Sequence, residues 1–201
     1  SQSGSFPFYT YTANYVYVFG PQFEDSPVCT SYVPNSGEAT GGVTRNADVV
    51  SVTGSNFSNF YNQSQGTFLV EGSRSNTASS ALPTMLEVND DSTSDTMGFN
   101  ASATKEQFAI VDGGGSATIE AGNDVGAGGA VKISGGYKSG SYATSLNGAA
   151  AVSNSLAATP TPDRMFIGSS KTAGRELNGH ISRVRYWRRR TPDAYLKKIS
   201  T

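Results

Sequence analysis

A chain of 201 residues with 15% charged side chains and a net charge of −1 is long enough for one domain with a substantial core and too short for two of average size. Its one cysteine, Cys29, excludes an internal disulfide framework and a multi-cysteine zinc site. No apolar run approaches the roughly 20 residues of a membrane span, and the opening SQSGSFPFYTYT lacks the basic and apolar regions of a secretory signal, so no membrane insertion is expected.

Taken in order, ANYVYVF (13–19), DVVSV (48–52), GTFLVEG (66–72), TMLEV (84–88), QFAIV (107–111), SATIEAG (116–122), AVKISGGY (130–137), YATSL (142–146), RMFIG (164–168) and HISRVRYW (180–187) each alternate over a few residues between turn formers. Many short strands at this spacing predict an all-β sandwich or barrel. Asn147-Gly148 is the strongest hairpin signal, because both residues tolerate positive φ. The glycine groups DGGG, GAGG and SGGY are expected at loop ends.

Ten of the fifteen Lys and Arg lie from Arg164 onward, against Glu176 and Asp193 alone, so this stretch carries +8 and the remainder −9. Such asymmetry favours contact between basic and acidic faces of one fold or of neighbouring subunits. Five of the arginines fall in RVRYWRRR (183–190), a run of the kind that can mark a nucleic-acid patch. In a strand, Val184 and Tyr186 face one way and Arg183, Arg185 and Trp187 the other, so the run reads as a solvated strand face and no nucleic-acid partner is expected. Ile181 is out of phase with Val184, which predicts a bulge near Ser182. TPDAYLKK then predicts one short C-terminal helix, the only regular helix of the chain, with Thr191 as N-cap, Pro192 in the first turn and Leu196 and Ile199 as anchors.

Three stretches carry a resemblance. GPQFEDSPVCTSYVPNSGEATGGVTRNADVVSV, with Gly20, Gln22 and Glu24, then Thr30, Ser31 and Tyr32, then Thr44, Arg45, Ala47 and Asp48, resembles the junction segment of phage fibre and spike proteins. NFSNFYNQSQGTFLVEGS resembles the opening strands of the concanavalin A-like, laminin-G-like domains that follow that junction. RMFIGSSKTAGRELNGHISRVRYWRRRTPDAYLKKIS, with Leu177, Asn178, Gly179 and Ile181, is similar to their closing strands and helix, and YATSLNG to the hairpin before them. The resemblance implies a concanavalin A-like jelly-roll β-sandwich over residues 45–201, a linker over 25–44, and the last strand or tail of a carbohydrate-binding-module-like domain over 1–24. It also implies a phage tail-fibre, spike or head-fibre setting on the virion surface, with a homo-oligomer such as a trimer, other virion proteins and a host-surface glycan as partners.

The residues that carry chemistry are sparse. Asp90, Asp91 and Asp95 in LEVNDDSTSD supply oxygens suited to Ca²⁺, but they lack an EF-hand's ordered spacing, and a strand-joining loop rich in Asp and Ser needs no metal; a solvated loop without cofactor is the expected reading. Glycoside hydrolysis requires paired carboxyl groups, whereas Glu71, Glu87 and Glu120 are isolated in their strands. His180, the single histidine, has no nucleophile-elbow motif to serve. A non-enzymatic role is therefore expected, ahead of a depolymerase. Sugar rings stack on exposed aromatics, which makes Tyr137, Tyr142 and Trp187, on or beside late strands, the candidate glycan contacts. The alternative function is architectural, a capsid-decoration module that touches neighbouring subunits without a ligand.

Overall fold

In the computed structural model, which describes residues 49–74, 82–113, 115–123, 125, 126 and 128–201, the period-two segments pair into two antiparallel sheets. The strands are β1 (Val50–Thr53), β2 (Gln65–Arg74), β3 (Thr84–Asn89), β4 (Asp95–Ala101), β5 (Lys105–Asp112), β6 (Gly115–Asn123), β7 (Ala130–Lys138), β8 (Tyr142–Leu146), β9 (Val152–Asn154), β10 (Arg164–Ile167) and β11 (Gly179–Trp187). One sheet runs β1-β10-β3-β4-β5-β6 and the other β11-β2-β7-β8-β9. All described residues belong to the compact unit Asn46–Thr201. The expected strand 13–19, the segments 1–24 and 25–44, and Cys29 lie outside the described residues.

Alternation sets which side chains meet. In β2, Phe68 and Val70 point inward while Thr67, Leu69 and Glu71 point outward; the inward pair sits opposite Tyr186 and Val184 of β11. Across the other sheet the register aligns Leu86, Phe99, Phe108 and Ile119 into one buried row, and Met165, Val88, Met97, Ile110 and Ala117 into the next. These rows close on the five-stranded sheet to make the core. Gly135 of β7 lies where a Cβ would stand 2.6 Å from the Phe99 ring, so the SGGY glycines are not at a loop end. Gly135 lets large rings approach a strand interior, and Gly136 makes room on the opposite face.

Four further local expectations meet the structure with mixed results. The ladder of β2 and β11 shifts register between Ile181 and Arg183, the bulge that the phase break at Ile181 predicts. Asn147 and Gly148 adopt φ of 46° and 74°, and Ala149 N–H closes the turn onto Leu146 C=O at 2.8 Å. The C-terminal helix, α2 (Asp193–Ile199), buries Leu196 completely, but Thr191 does not cap it. The Thr191 hydroxyl is instead buried beside Thr67 Oγ1, 3.2 Å away. Nor is that helix alone: α1 (Gly54–Ser58) is a single turn entered through Gly54 at φ 58°, and it places Phe57 in the core. β4 and β9 were not expected, because Gly98 interrupts the first pattern and the second is only three residues long.

Between β9 and β10 the chain forms a strap across the end of the sandwich. Asp95 and Asp112 are directly opposite on β4 and β5, an arrangement of like charges that is unfavourable by itself. Each carboxylate is turned to a separate part of the strap: Asp112 Oδ2 accepts from Thr159 N–H at 2.7 Å, and Asp95 accepts from Thr161 N–H and Oγ1–H, both at 2.7 Å. Tyr142 O–H adds a bond to Ala158 C=O at 2.6 Å.

Beneath α1 lies a polar-tipped aromatic cluster. Tyr61, Phe68, Tyr137 and Tyr186 pack with ring centroids 4.8–6.4 Å apart, and the Tyr137 hydroxyl reaches both Asn62 C=O (2.6 Å) and the Tyr186 hydroxyl (2.8 Å). Burial pushes the phenols of Tyr61, Tyr137 and Tyr186 above their ordinary value, and that of Tyr142 up to about 12. The unfolded phenols ionise near pH 10, so stability from these groups is intact below pH ~10 and is lost as pH rises beyond it. In an alkaline titration followed at 295 nm, the tyrosinate absorbance of these four phenols, out of the ten tyrosines of the chain, should therefore appear together with loss of the β-sheet circular dichroism. A gradual rise of the full absorbance while the sheet signal persists would contradict the packing of the cluster.

Candidate functional site

The outward face of the five-stranded sheet carries the basic run. Register aligns Trp187, Thr67, Gly136, Ala143 and Ser153 into one row across all five strands at one end of the sheet. After Trp187 the chain turns back over that row as an arm, Arg188–Thr201. Thr67 Oγ1 donates to Arg189 C=O at 2.9 Å and accepts from Thr191 N–H at 3.0 Å, which fixes the crossing point. Gly136 has no side chain, and the Arg190 stem occupies its place: a Cβ there would lie 2.5 Å from Arg190 Cδ. From there α2 runs over β7 and β8, tied by Ser134 Oγ–H to Leu196 C=O at 2.9 Å and by the Ser145 and Ser200 hydroxyls at 2.9 Å.

The arm divides the face into two. On the β11 side, Trp187 meets Tyr195 of α2 edge-on, with centroids 6.4 Å apart and planes at 88°; Tyr195 is 40% exposed. On the same strand and arm Arg183, Arg185, Arg188, Arg189, Lys197 and Lys198 are exposed. Arg183 is committed in part to Glu71, at 3.2 Å, which Lys132 also approaches at 3.6 Å. On the β9 side lies a hollow of about 480 Å³, lined by Gly140, Ser141 and Tyr142, by Ser153, Asn154 and Ser155, and by Arg190 and Asp193 of the arm. Hydroxyls, an amide and one ion pair make this a hydrogen-bonding surface with little apolar wall.

Of the three aromatic candidates, only Trp187 faces outward. Tyr137 is 3% exposed within the core cluster, and Tyr142 is 1% exposed with its hydroxyl on the strap. Neither presents an open ring face to a sugar, because each shares the inward phase of its strand. The three aspartates are likewise drawn apart. Asp90 accepts from Ser92, whose hydrogen bonds hold the Asp90 carboxyl below the usual carboxylate range. Asp91, at φ 69°, pairs with Arg164 (3.1 Å) and Lys171 (3.5 Å), while Asp95 holds the strap. Among the described residues no group of three His, Cys, Asp or Glu side chains gathers as metal ligands would.

The remaining carboxylates have structural partners. Glu87 accepts from Asn89 Nδ2 (2.7 Å) and Lys171 N–H (3.1 Å), and Glu120 lies 3.7 Å from Lys105. His180 is exposed on β11. Sequence reasoning missed the hollow altogether; the hint available was the polar run SNS directly after Val152, too short to reveal a strand.

No protein-family model matches the sequence, and no curated protein sequence matches it. Solved structures do match. A carbohydrate-binding module of the CBM40 type from a Ruminococcus gnavus sialidase, described as bound to α2,3-sialyllactose, superposes with a TM-score of 0.55 over 70% of this chain and 84% of that one, at 14% identity. The mouse laminin α1 chain, domains LG4-5, gives 0.52 over 79% of this chain and 48% of that chain, at 11% identity. The NanB sialidase of Streptococcus pneumoniae gives 0.55 at 13% identity, with 79% of this chain covering 27% of the enzyme. The fold is a laminin-G-like jelly roll. It is an all-β, concanavalin A-like sandwich with a short helix after its last strand, as the resemblance in the sequence implied.

Proposed function

We propose that this jelly roll is a non-enzymatic carbohydrate-binding module of a phage tail-fibre, spike or head-fibre protein, displayed on the virion and directed at a host-surface glycan. The observation that carries the reading is the outward pair of half-buried Trp187 and exposed Tyr195, on a strand and an arm that also carry exposed arginines and lysines. An amphipathic aromatic takes the apolar face of a sugar while nearby cations and amides bond its substituents. The structural likeness to glycan-bound modules supports the same class of ligand. The phage setting rests on the junction motif Gly20, Gln22, Glu24 and its sequel. On a glycan array, the wild-type chain should bind a restricted set of saccharides, and Trp187→Ala should weaken the contacts on its side of the arm by roughly tenfold with the fold intact. Binding to no saccharide and to no host cell would remove the receptor role.

A second, architectural reading is favoured by β1. Among the described residues it is an edge strand, with Val50 50% exposed and Val49 just before it 72% exposed, a feature that fits pairing with a neighbouring subunit of the virion or with another copy of the chain. Light scattering on the same preparation separates the two, since a contact of that kind gives a homo-oligomer, such as a trimer, whose mass falls when Val50 is replaced by lysine.

A further inference from the structure

We propose that the hollow beside β9 is a second binding site, selective for the vicinal hydroxyls of a neutral saccharide; the proposal rests on the carbohydrate-binding reading and places a new site within it. Its volume, about 480 Å³, lies in the roughly 300–1,000 Å³ range of small-molecule sites.

The charge in the hollow is already balanced. Arg190 Nε donates to Ser141 C=O at 3.2 Å, one Nη donates to Thr191 C=O and the other to Asp193 Oδ1. An arriving anion would meet a guanidinium whose counter-charge is in place, and would also face the Asp193 carboxylate. A guest without charge meets no such cost. What stays on offer is two of the five guanidinium N–H groups, the second carboxylate oxygen of Asp193, and the hydroxyls of Ser141, Ser153 and Ser155. Asn154, in phase with inward Tyr142, spends its Oδ1 on Leu156 N–H at 2.8 Å and serves to hold the β9 wall. Adjacent sugar hydroxyls each donate one bond and accept others. A carboxylate acceptor and fixed N–H donors around one hollow match that pattern.

The walls are set before any ligand arrives. Asn154 and Ser153 are held in the β8–β9 ladder opposite Tyr142 and Ala143, and the β7–β8 turn is closed by Ser141 N–H on Lys138 C=O (2.8 Å) and Gly140 N–H on Leu156 C=O (2.9 Å). Arg190 is itself only 10% exposed. Pre-ordered walls reduce the entropy lost on binding. The β9 wall of the hollow stands four strands from Trp187, about 19 Å at normal strand spacing, whereas Arg190 over Gly136 is two strands away, so Ser153 is the lining position remote from Trp187.

The test uses an array of neutral hexose oligosaccharides with their uronate and sialylated counterparts, followed by calorimetry on the strongest neutral ligand. Asp193→Asn, which keeps the shape of the arm, and Ser153→Trp, which fills the hollow from β9, should each weaken that ligand at least tenfold, with circular dichroism unchanged, whereas Trp187→Ala should leave it bound. Neutral saccharides bound equally by both hollow variants but lost in Trp187→Ala would overturn the second site and leave the carbohydrate-binding reading standing. Binding of acidic saccharides alone would likewise overturn it. No binding to any saccharide would overturn both.

Discussion

Replacing Phe108 with alanine should lower the unfolding free energy by about 3–5 kcal/mol, the usual loss for a large aromatic removed from a core. Phe108 is 0% exposed and sits 5.0 Å from the Phe99 ring and 6.5 Å from the Tyr142 ring, centroid to centroid. Its surroundings give the site little means of collapse. On its own sheet it stands between Phe99 and Ile119 in fixed register, and across the sandwich it faces Gly135, which has no side chain to move into the vacancy. Both backbones are held by hydrogen-bonded ladders, so the cavity stays open and the cost belongs at the upper end of the range. For a domain of this size that loss corresponds to a melting temperature lower by roughly 6–20 °C. Urea denaturation measures it directly, and a change below about 1 kcal/mol would show that the two sheets are not packed as described.

The second large effect concerns Arg74 and Glu106, which join the two sheets inside the sandwich. Both follow the inward phase of their strands, β2 and β5; their side chains are 2% and 3% exposed and the N–O distance is 2.9 Å. Burial pushes the Glu106 carboxyl above its ordinary range in spite of the attraction of Arg74, so desolvation is the larger effect. Changing Glu106 to leucine leaves the guanidinium buried without this carboxylate and should cost about 3–5 kcal/mol. Changing Arg74 to methionine as well should return most of the loss, since a packed apolar pair replaces a pair that is expensive to desolvate. The pH dependence has a definite sign. Because the folded carboxyl holds its proton to higher pH than the unfolded chain, the wild type loses stability from this group as pH rises through the raised value, and the double variant lacks that slope. Denaturant titrations of the four proteins of this cycle at two pH values provide the measurement; a double variant no more stable than Glu106→Leu would refute the pairing.

The residues that sequence reasoning placed well are those governed by period alone. Val184 and Tyr186 turn inward and Arg183, Arg185 and Trp187 outward because a strand permits nothing else, and the misphased Ile181 marked its own bulge. The same rule, applied further, would have placed Tyr137 in phase with Val131 and Ile133, and Tyr142 in phase with Leu146, hence in the core. A tyrosine in a strand is compatible with either a core or a sugar platform, and only phase distinguishes them. The fates of Asp91 and Asp95 were not legible, because their partners Arg164, Lys171 and Thr161 lie some 66 to 80 residues away in the sequence, whereas Asp90 has its partner Ser92 two residues on. The hollow was hidden for a similar reason: it exists only where a turn, a three-residue strand and the returning arm meet.

Strand order has a consequence for how the molecule comes into being. β3 to β6 form successive hairpins, as do β7 to β9, but β2 must keep one edge open until β11 arrives more than a hundred residues later. Pairings of such separation slow folding to the millisecond-to-second range, and on a ribosome adding about 5–20 residues per second the wait is roughly 6–20 s. The strand that ends the wait carries Trp187, the only tryptophan of the chain. The nascent protein thus gains its outward tryptophan only when this last strand closes the sheet.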